Sequence, residues 1–171
     1  MSTWYLAKIK FIQQDEKGNQ RPITQQYLFD AVSYTDAEAR AYDYCAQDLP
    51  EFQLVGLTKM KFNEVFLVDN NAELWFKARA QYIVFDEKSQ KDKKVPFNFL
   101  LNAQDIKEVY GLLVEKLGSV QDYIISDINV TKILDVIPYE EKEIEDKPLP
   151  PNLKPLSEVI ANLESETPPA E

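Results

Sequence analysis

The fold is decided by the stretch Trp4-Tyr5-Leu6-Ala7-Lys8-Ile9-Lys10-Phe11-Ile12, which returns 71 positions later as Trp75-Phe76-Lys77-Ala78-Arg79-Ala80-Gln81-Tyr82-Ile83. The polar segment that follows also recurs, as Asp15-Glu16-Lys17-Gly18-Asn19 and Asp86-Glu87-Lys88-Ser89-Gln90. At the same offset, the ends of the two units match as Lys61-Phe62-Asn63-Glu64-Val65-Phe66 and Lys132-Ile133-Leu134-Asp135-Val136-Ile137. The chain therefore contains an internal duplication.

Each unit has the pattern strand, strand, helix, strand. The opening stretch alternates apolar and polar side chains, which is typical of a half-buried strand, and a polar turn leads into a second strand. The spacing of Thr35 and Glu38 predicts a capping box at the start of the first helix. Asn102 is the predicted cap of the second helix. We expect the last strand of each unit to span residues 52–68 and 123–137.

These patterns predict an α+β fold with a mainly antiparallel sheet and two helices on one face. The first ββαβ repeat is expected at residues 1–71 and the second at 72–138, packed together as one domain. Residues 139–171 are expected to form a disordered, acidic tail that contains prolines. The pattern leaves open whether the strands build one continuous sheet or two.

Composition excludes several kinds of site. Histidine is absent, which removes imidazole-based catalytic triads and the commonest zinc and iron ligand sets. The four glycines form no phosphate-binding pattern. Cys45 lies on the apolar stripe of the first predicted helix and is expected in the core rather than as a nucleophile. We expect no cofactor, no metal and no enzymatic activity, with carboxylate-dependent chemistry left open.

The expected location is the cytoplasm. No apolar run approaches the roughly 20 residues that a membrane helix needs, and the N-terminal residues do not resemble a secretory signal. A lone cysteine fits a reducing compartment. We therefore expect no membrane partner, and the sequence does not give the oligomeric state.

The net charge of −10 is concentrated near the C-terminus. From Tyr139 onward, nine acidic residues face three lysines, which leaves a charge of −4 for residues 1–138. Because the repeats are only mildly acidic, a local basic surface for a polyanion is compatible with the sequence.

Two adjacent carboxylate pairs are candidates for a metal or acid-base site, Asp15-Glu16 and Asp86-Glu87. Both pairs lie in predicted hairpin turns and both are followed by lysine. Adjacent residues of an extended segment point to opposite faces, so the two acids of a pair do not converge. We interpret them as solvated turn residues.

A more specific pattern combines tryptophan with cations on the first strand of each unit. An aromatic residue followed by cations along one strand face suits single-stranded nucleic acid, because bases stack on indole rings and the cations contact phosphates. We therefore predict a non-enzymatic binding protein for single-stranded DNA or RNA, with cations of the last strands beside the first ones. The predicted nucleic-acid-binding residues are Trp4, Lys8, Lys10, Lys59, Lys61, Trp75, Lys77, Arg79 and Lys132.

The alternative function is a protein-interaction or assembly module that uses the sheet edges and the C-terminal tail. Proline-rich segments and short amphipathic helices dock into grooves of partner proteins. The predicted partner-binding residues in the tail are Val159, Ile160 and Leu163.

Four motifs carry a resemblance to a known family: Met1-Ser2-Thr3-Trp4, Tyr34-Thr35-Asp36-Ala37-Glu38-Ala39-Arg40, Trp75-Phe76-Lys77-Ala78 and Asp135-Val136-Ile137-Pro138-Tyr139. Over about residues 1–139 the chain resembles an uncharacterised bacterial family, with related proteins in phages, that is catalogued only as a domain of unknown function. The resemblance implies no catalytic residues.

Overall fold

The computed structural model of this protein describes residues 3–139, which belong to one compact unit. The first repeat begins with a long hairpin, continues through one helix and ends in two further strands. Its elements are β1 (Trp4–Gln14), β2 (Gln20–Asp30), α1 (Tyr34–Asp48), β3 (Gln53–Met60) and β4 (Glu64–Phe66).

The second repeat has the same order of elements. Its long hairpin is again followed by one helix and two strands. Its elements are β5 (Leu74–Asp86), β6 (Lys91–Ala103), α2 (Ile106–Leu117), β7 (Tyr123–Val130) and β8 (Ile133–Ile137). The prediction of an α+β fold built from a duplicated unit, with mainly antiparallel pairing and two helices, is confirmed.

The described strands form two four-stranded sheets, in the orders β3-β1-β2-β8 and β4-β6-β5-β7. The repeats exchange their last strands: β4 pairs in parallel with β6 of the second repeat, and β8 pairs in parallel with β2 of the first. All other pairs are antiparallel. The strands therefore build two sheets rather than one continuous sheet, and the exchanged strands interlock the two repeats.

The exchange also corrects the prediction of a single last strand in each unit. Residues 52–68 contain β3 and β4, and residues 123–137 contain β7 and β8, in both cases with a break where the chain crosses to the other sheet. Asn63 lies in the first break, where its backbone N–H donates to the Asn98 carbonyl at 2.8 Å. Its side-chain oxygen accepts from the Asn98 N–H at the same distance.

Both helix caps lie at other residues than predicted. Ser33, not Thr35, caps α1: its hydroxyl accepts from the Asp36 N–H at 3.1 Å. Asp105, not Asn102, caps α2 by accepting from the Glu108 N–H at 2.8 Å. In each helix the acidic residue in the third position also accepts a backbone N–H that precedes the cap, so these are reciprocal caps.

Asn102 instead holds the link between the repeats. Its side-chain amide accepts from the Val68 N–H at 2.8 Å and donates to the Val68 carbonyl at 2.7 Å, as a paired strand residue would. It also donates to the side chain of Asn70 at 2.9 Å. Asn102 is buried, and these bonds satisfy its polar atoms.

The apolar core lies on both faces of the sheets. On one face, which we call the helix side, α1 packs on Ala7, Ile9 and Phe29, and α2 packs on the equivalent residues of β5 and β6. The opposite, inner faces meet each other near the start of β1 and β5. Among residues 3–139, the inner faces therefore cover each other near the start of β1 and β5, and the candidate site lies on the part of these faces beyond that contact.

Candidate nucleic-acid interface

Both tryptophans lie in the core between the two sheets. Trp4 is 8% exposed and Trp75 is 7% exposed, and they pack with Leu28 and Leu100. Base stacking needs an exposed ring face, which neither indole offers. The predicted stacking role of Trp4 and Trp75 therefore does not fit their positions, because each inner face covers the tryptophan of the other.

A sequence signal for this burial exists in residues that the basic-aromatic interpretation left out. Leu6 lies on the same strand face as Trp4, two positions further on, and packs against the same cluster. Opposite Leu6 in the register is Leu28, which is fully buried together with its neighbour Phe29. Consecutive apolar residues at the end of β2 indicate a strand covered on both faces.

The cations of β1 and β5 remain on the inner faces beyond the tryptophans. Lys8, Lys10 and Arg79 are exposed, and Lys77 is half-buried. Lys8 and Arg79 occupy equivalent positions in the two repeats. Lys8 lies opposite Gly56 of β3 and Arg79 lies opposite Asp127 of β7, and in both pairs the register shifts at the next residue. An exposed inner-face cation is therefore a feature of both copies.

The three other predicted cations do not join β1 and β5 on the inner faces. Lys59 lies opposite Tyr5 in the register of β1 and β3, so it belongs to the helix side. Lys61 and Lys132 are exposed and lie in the breaks between β3 and β4 and between β7 and β8. The candidate cation set is thereby reduced to Lys8, Lys10, Lys77 and Arg79.

The surroundings of the two equivalent cations differ. The stem of Lys8 lies over Gly56, with carbon atoms 3.5–3.8 Å from the position of a Cβ there. Arg79 instead has Asp127 across from it, and both residues line a hollow of about 180 Å³. An acid beside Arg79 weakens its attraction for phosphate, so Lys8 is the better placed anion contact.

An exposed aromatic side chain on the inner face was not among the predicted residues. Phe85 is 56% exposed and lies on the same face of β5 as Arg79, about 20 Å further along the strand. The sequence signal for this position was the period-two alternation of β5, which puts Phe85 on the same strand face as Lys77 and Arg79. Phe85 is thus the candidate stacking residue in place of the tryptophans.

The two carboxylate pairs are organised as turn residues. Asp15 accepts the backbone N–H groups of Asn19 at 2.8 Å and Lys17 at 2.9 Å, and the Asn19 contacts lower the pKa of its carboxyl. Asp86 accepts from the Lys88 N–H at 3.0 Å. Within residues 3–139, no group of three or more cysteine, aspartate or glutamate side chains is arranged to hold a metal ion.

Cys45 lies in the core of the first repeat. Cys45 is on α1, and its side chain is buried in the same cluster as Ala7 and Ile9 of β1. This burial raises the pKa of the thiol. A raised pKa leaves less thiolate at neutral pH, which is unfavourable for a nucleophile.

The sheet edges are poorly shaped for strand addition. The outer strand β3 carries a bulge at Val55, and β7 carries one at the equivalent Ser126. The backbone groups of Asn98 on β6 point away from β5, as their hydrogen bonds to Asn63 show. Pro96 lies two residues earlier on β6, so its backbone nitrogen faces the same side. Because proline has no N–H, this edge lacks a hydrogen-bond donor at that position. Bulges and proline are devices that block edge pairing.

Two further predictions concern the C-terminal tail and the membrane. The predicted partner anchors Val159, Ile160 and Leu163 lie outside the described residues. Across the described range, the two helices are too short or too polar to cross a membrane.

Comparison with known proteins identifies the family. The model of the family described as "Domain of unknown function (DUF4494)" matches residues 3–139, so the chain belongs to this family. No curated protein matches the chain, and no solved structure does.

Proposed function

We propose that this DUF4494 protein is a non-enzymatic binding protein for single-stranded nucleic acid, with the inner-face cations as its phosphate contacts. The observation that carries the proposal is the pair Lys8 and Arg79, which are exposed at equivalent positions of both repeats. Lys10 and Lys77 extend each contact along its strand. In this proposal no bond is made or broken, and the free thiol of Cys45 supports a reducing, cytoplasmic location.

On β2 and β6, neutral polar groups lie opposite Lys8, Lys10 and Arg79, which favours a polyanion as the ligand, whereas Asp127 faces Arg79 from β7. Gln26 lies opposite Lys8 and Thr24 lies opposite Lys10 on β2. Asn98 accepts from the Nε of Arg79 at 3.3 Å, which fixes the guanidinium on the inner face. Amide and hydroxyl groups supply additional hydrogen bonds to phosphate and sugar without carrying sequence information.

Because the tryptophans are buried, binding in this proposal is mainly electrostatic. Stacking on an aromatic residue contributes roughly 1–3 kcal/mol per base, and Phe85 is an aromatic side chain on this face with an exposed ring. We therefore expect modest affinity, little sequence preference and a steep dependence on salt.

The test is a titration of labelled oligothymidylate followed by fluorescence anisotropy at low salt. The double variant Lys8→Gln and Arg79→Gln is expected to bind about tenfold more weakly, from two lost charge contacts. Asp127→Asn is expected to bind more tightly, because it removes the acid across from Arg79.

Lys59→Gln is the matched control, since this lysine lies on the same sheet as Lys8 but on the helix side. It is expected to bind like the wild type. If Lys59→Gln weakens binding as much as the double variant does, the proposed surface is wrong. An absence of binding by the wild type at low salt removes the proposal altogether.

A further inference from the structure

The two helices differ in length, and the difference uncovers part of the second sheet. α1 has 15 residues and α2 has 12, although they begin at equivalent caps. Three residues correspond to about 4.5 Å of helix. After α1, Leu49 and Phe52 pack against the core. After α2, Gly118 ends the helix at φ 66° and Val120 is 99% exposed.

The uncovered region is an open groove of about 450 Å³, here called the α2 groove. Its volume lies in the range that small-molecule sites use. Gln13 and Gln25 of the first repeat are the register equivalents of Val84 and Phe97, so the apolar floor is more extensive in the second repeat. The groove is lined mainly by Tyr82, Val84, Val95, Phe97, Leu117 and Val120.

Positive charge lies at the hairpin end of the groove. Lys93 is directly opposite Val84 in the register, and Lys91 is on the same face two residues before it. The carboxylate opposite Lys91, that of Asp86, is bonded within its own turn by Lys88 and Ser89. Neither lysine forms an ion pair with another described residue. The carboxylate of Asp86 weakens the attraction of Lys91 for an anion, so Lys93, with Val84 opposite it, is the better placed cation of the rim.

We propose that the α2 groove binds a small amphipathic carboxylate, with an apolar aromatic body on the floor and the carboxylate at Lys93 and Lys91. The rings of Tyr82 and Phe97 are 4.9 Å apart in an edge-to-face arrangement, which offers a further ring a favourable packing surface. Burial raises the pKa of Tyr82, so its phenol is neutral at physiological pH with a wider margin than usual. The site is independent of the inner-face cations.

The test is a titration of the full chain with 2-naphthoate and, separately, with the neutral naphthalene-2-carboxamide, followed by amide chemical shifts. We expect saturable shifts at Tyr82, Val84 and Val95. Lys93→Gln is expected to weaken naphthoate binding roughly threefold and to leave carboxamide binding unchanged. Lys94→Gln is the matched control, because it changes the neighbouring lysine on the opposite strand face. It is expected to bind like the wild type.

A second pair of variants tests whether the ligand lies beside Val120, without changing a buried residue. Val120→Glu places a negative charge at the rim and is expected to weaken naphthoate binding, whereas Val32→Glu, at a distant exposed valine, is not. The proposal is overturned if the wild type shows no saturable shifts at millimolar naphthoate. Equal weakening by Lys94→Gln and Lys93→Gln also overturns it, since the carboxylate is then not at the groove.

Discussion

Trp4 and Trp75 show how one residue type at equivalent positions takes its role from the partner surface. On an isolated strand each ring would lie on the face opposite the helix. In the folded chain both pack in the inter-sheet cluster together with Leu28 and Leu100. Lys8 and Lys10, four and six residues after Trp4, and Arg79, four residues after Trp75, are exposed beyond this contact. The candidate interface therefore begins where the inter-sheet core ends.

Replacement of Trp4 by alanine is expected to lower the free energy of unfolding by about 3–5 kcal/mol, because the lost indole leaves a cavity between the sheets. Urea unfolding measures this change. Phe85→Ala is the control: its ring is largely exposed, and it is expected to change stability by no more than about 0.5 kcal/mol. A small cost for Trp4→Ala contradicts the burial of this side chain.

At the scale of elements, side-chain contacts fasten α1 to the strand that the second repeat contributes. The Tyr44 hydroxyl donates to the Asp135 carboxylate at 3.0 Å, and Arg40 donates to the Pro138 carbonyl at 2.9 Å. Burial, and then the Asp135 contact, raise the pKa of Tyr44 above its ordinary value. The phenol is thus held neutral in the folded protein.

Because the folded pKa of Tyr44 is above the unfolded value of 10.0, its contribution to stability is complete below pH 10 and is lost as the pH rises further. Tyr44→Phe is expected to cost about 0.5–1.5 kcal/mol at pH 7 and to lose less stability than the wild type above pH 10. Urea unfolding at both pH values checks this. Tyr42→Phe, an exposed tyrosine of the same helix, is the control. Identical pH dependence in Tyr44→Phe and wild type counts against the assignment.

Local pattern predicted the element types and the repeat, but it missed features that depend on distant contacts. The caps were misplaced because Ser33, Thr35 and Asp36 are all suitable cap residues and backbone geometry chooses among them. The break at Asn63 was missed because the hydrogen bonds that mark it go to β6, 35 residues away in the sequence. Likewise, alternation placed Lys8 and Arg79 on one strand face correctly, but only the packing of the sheets shows which end of that face is open.

For the whole molecule, the exchange of β4 and β8 makes each repeat incomplete without the other. β4 has its pairing strand in the second repeat, and β2 has its parallel neighbour there. The inter-sheet core takes one tryptophan from each. Residues 3–139 are therefore expected to unfold in one cooperative transition.

The fragment of residues 1–71 is accordingly expected to be unfolded as a monomer, with poor amide dispersion and no cooperative thermal transition. Residues 1–139 are the control and should show well-dispersed amide signals and a cooperative thermal transition. Sedimentation at low concentration establishes the monomeric state, since two copies of the fragment could exchange strands with each other. A folded monomer of residues 1–71 contradicts the interlocked description.

The most direct measurement of the proposed function is the salt dependence of oligothymidylate affinity. With four inner-face cations contacting phosphates, the slope of log affinity against log salt is expected to be about −3 for a single strand. Tryptophan fluorescence should stay unquenched during the titration, because both rings are in the core. Absence of binding at low salt, or binding insensitive to salt, contradicts the proposal that Lys8, Lys10, Lys77 and Arg79 form a nucleic-acid surface.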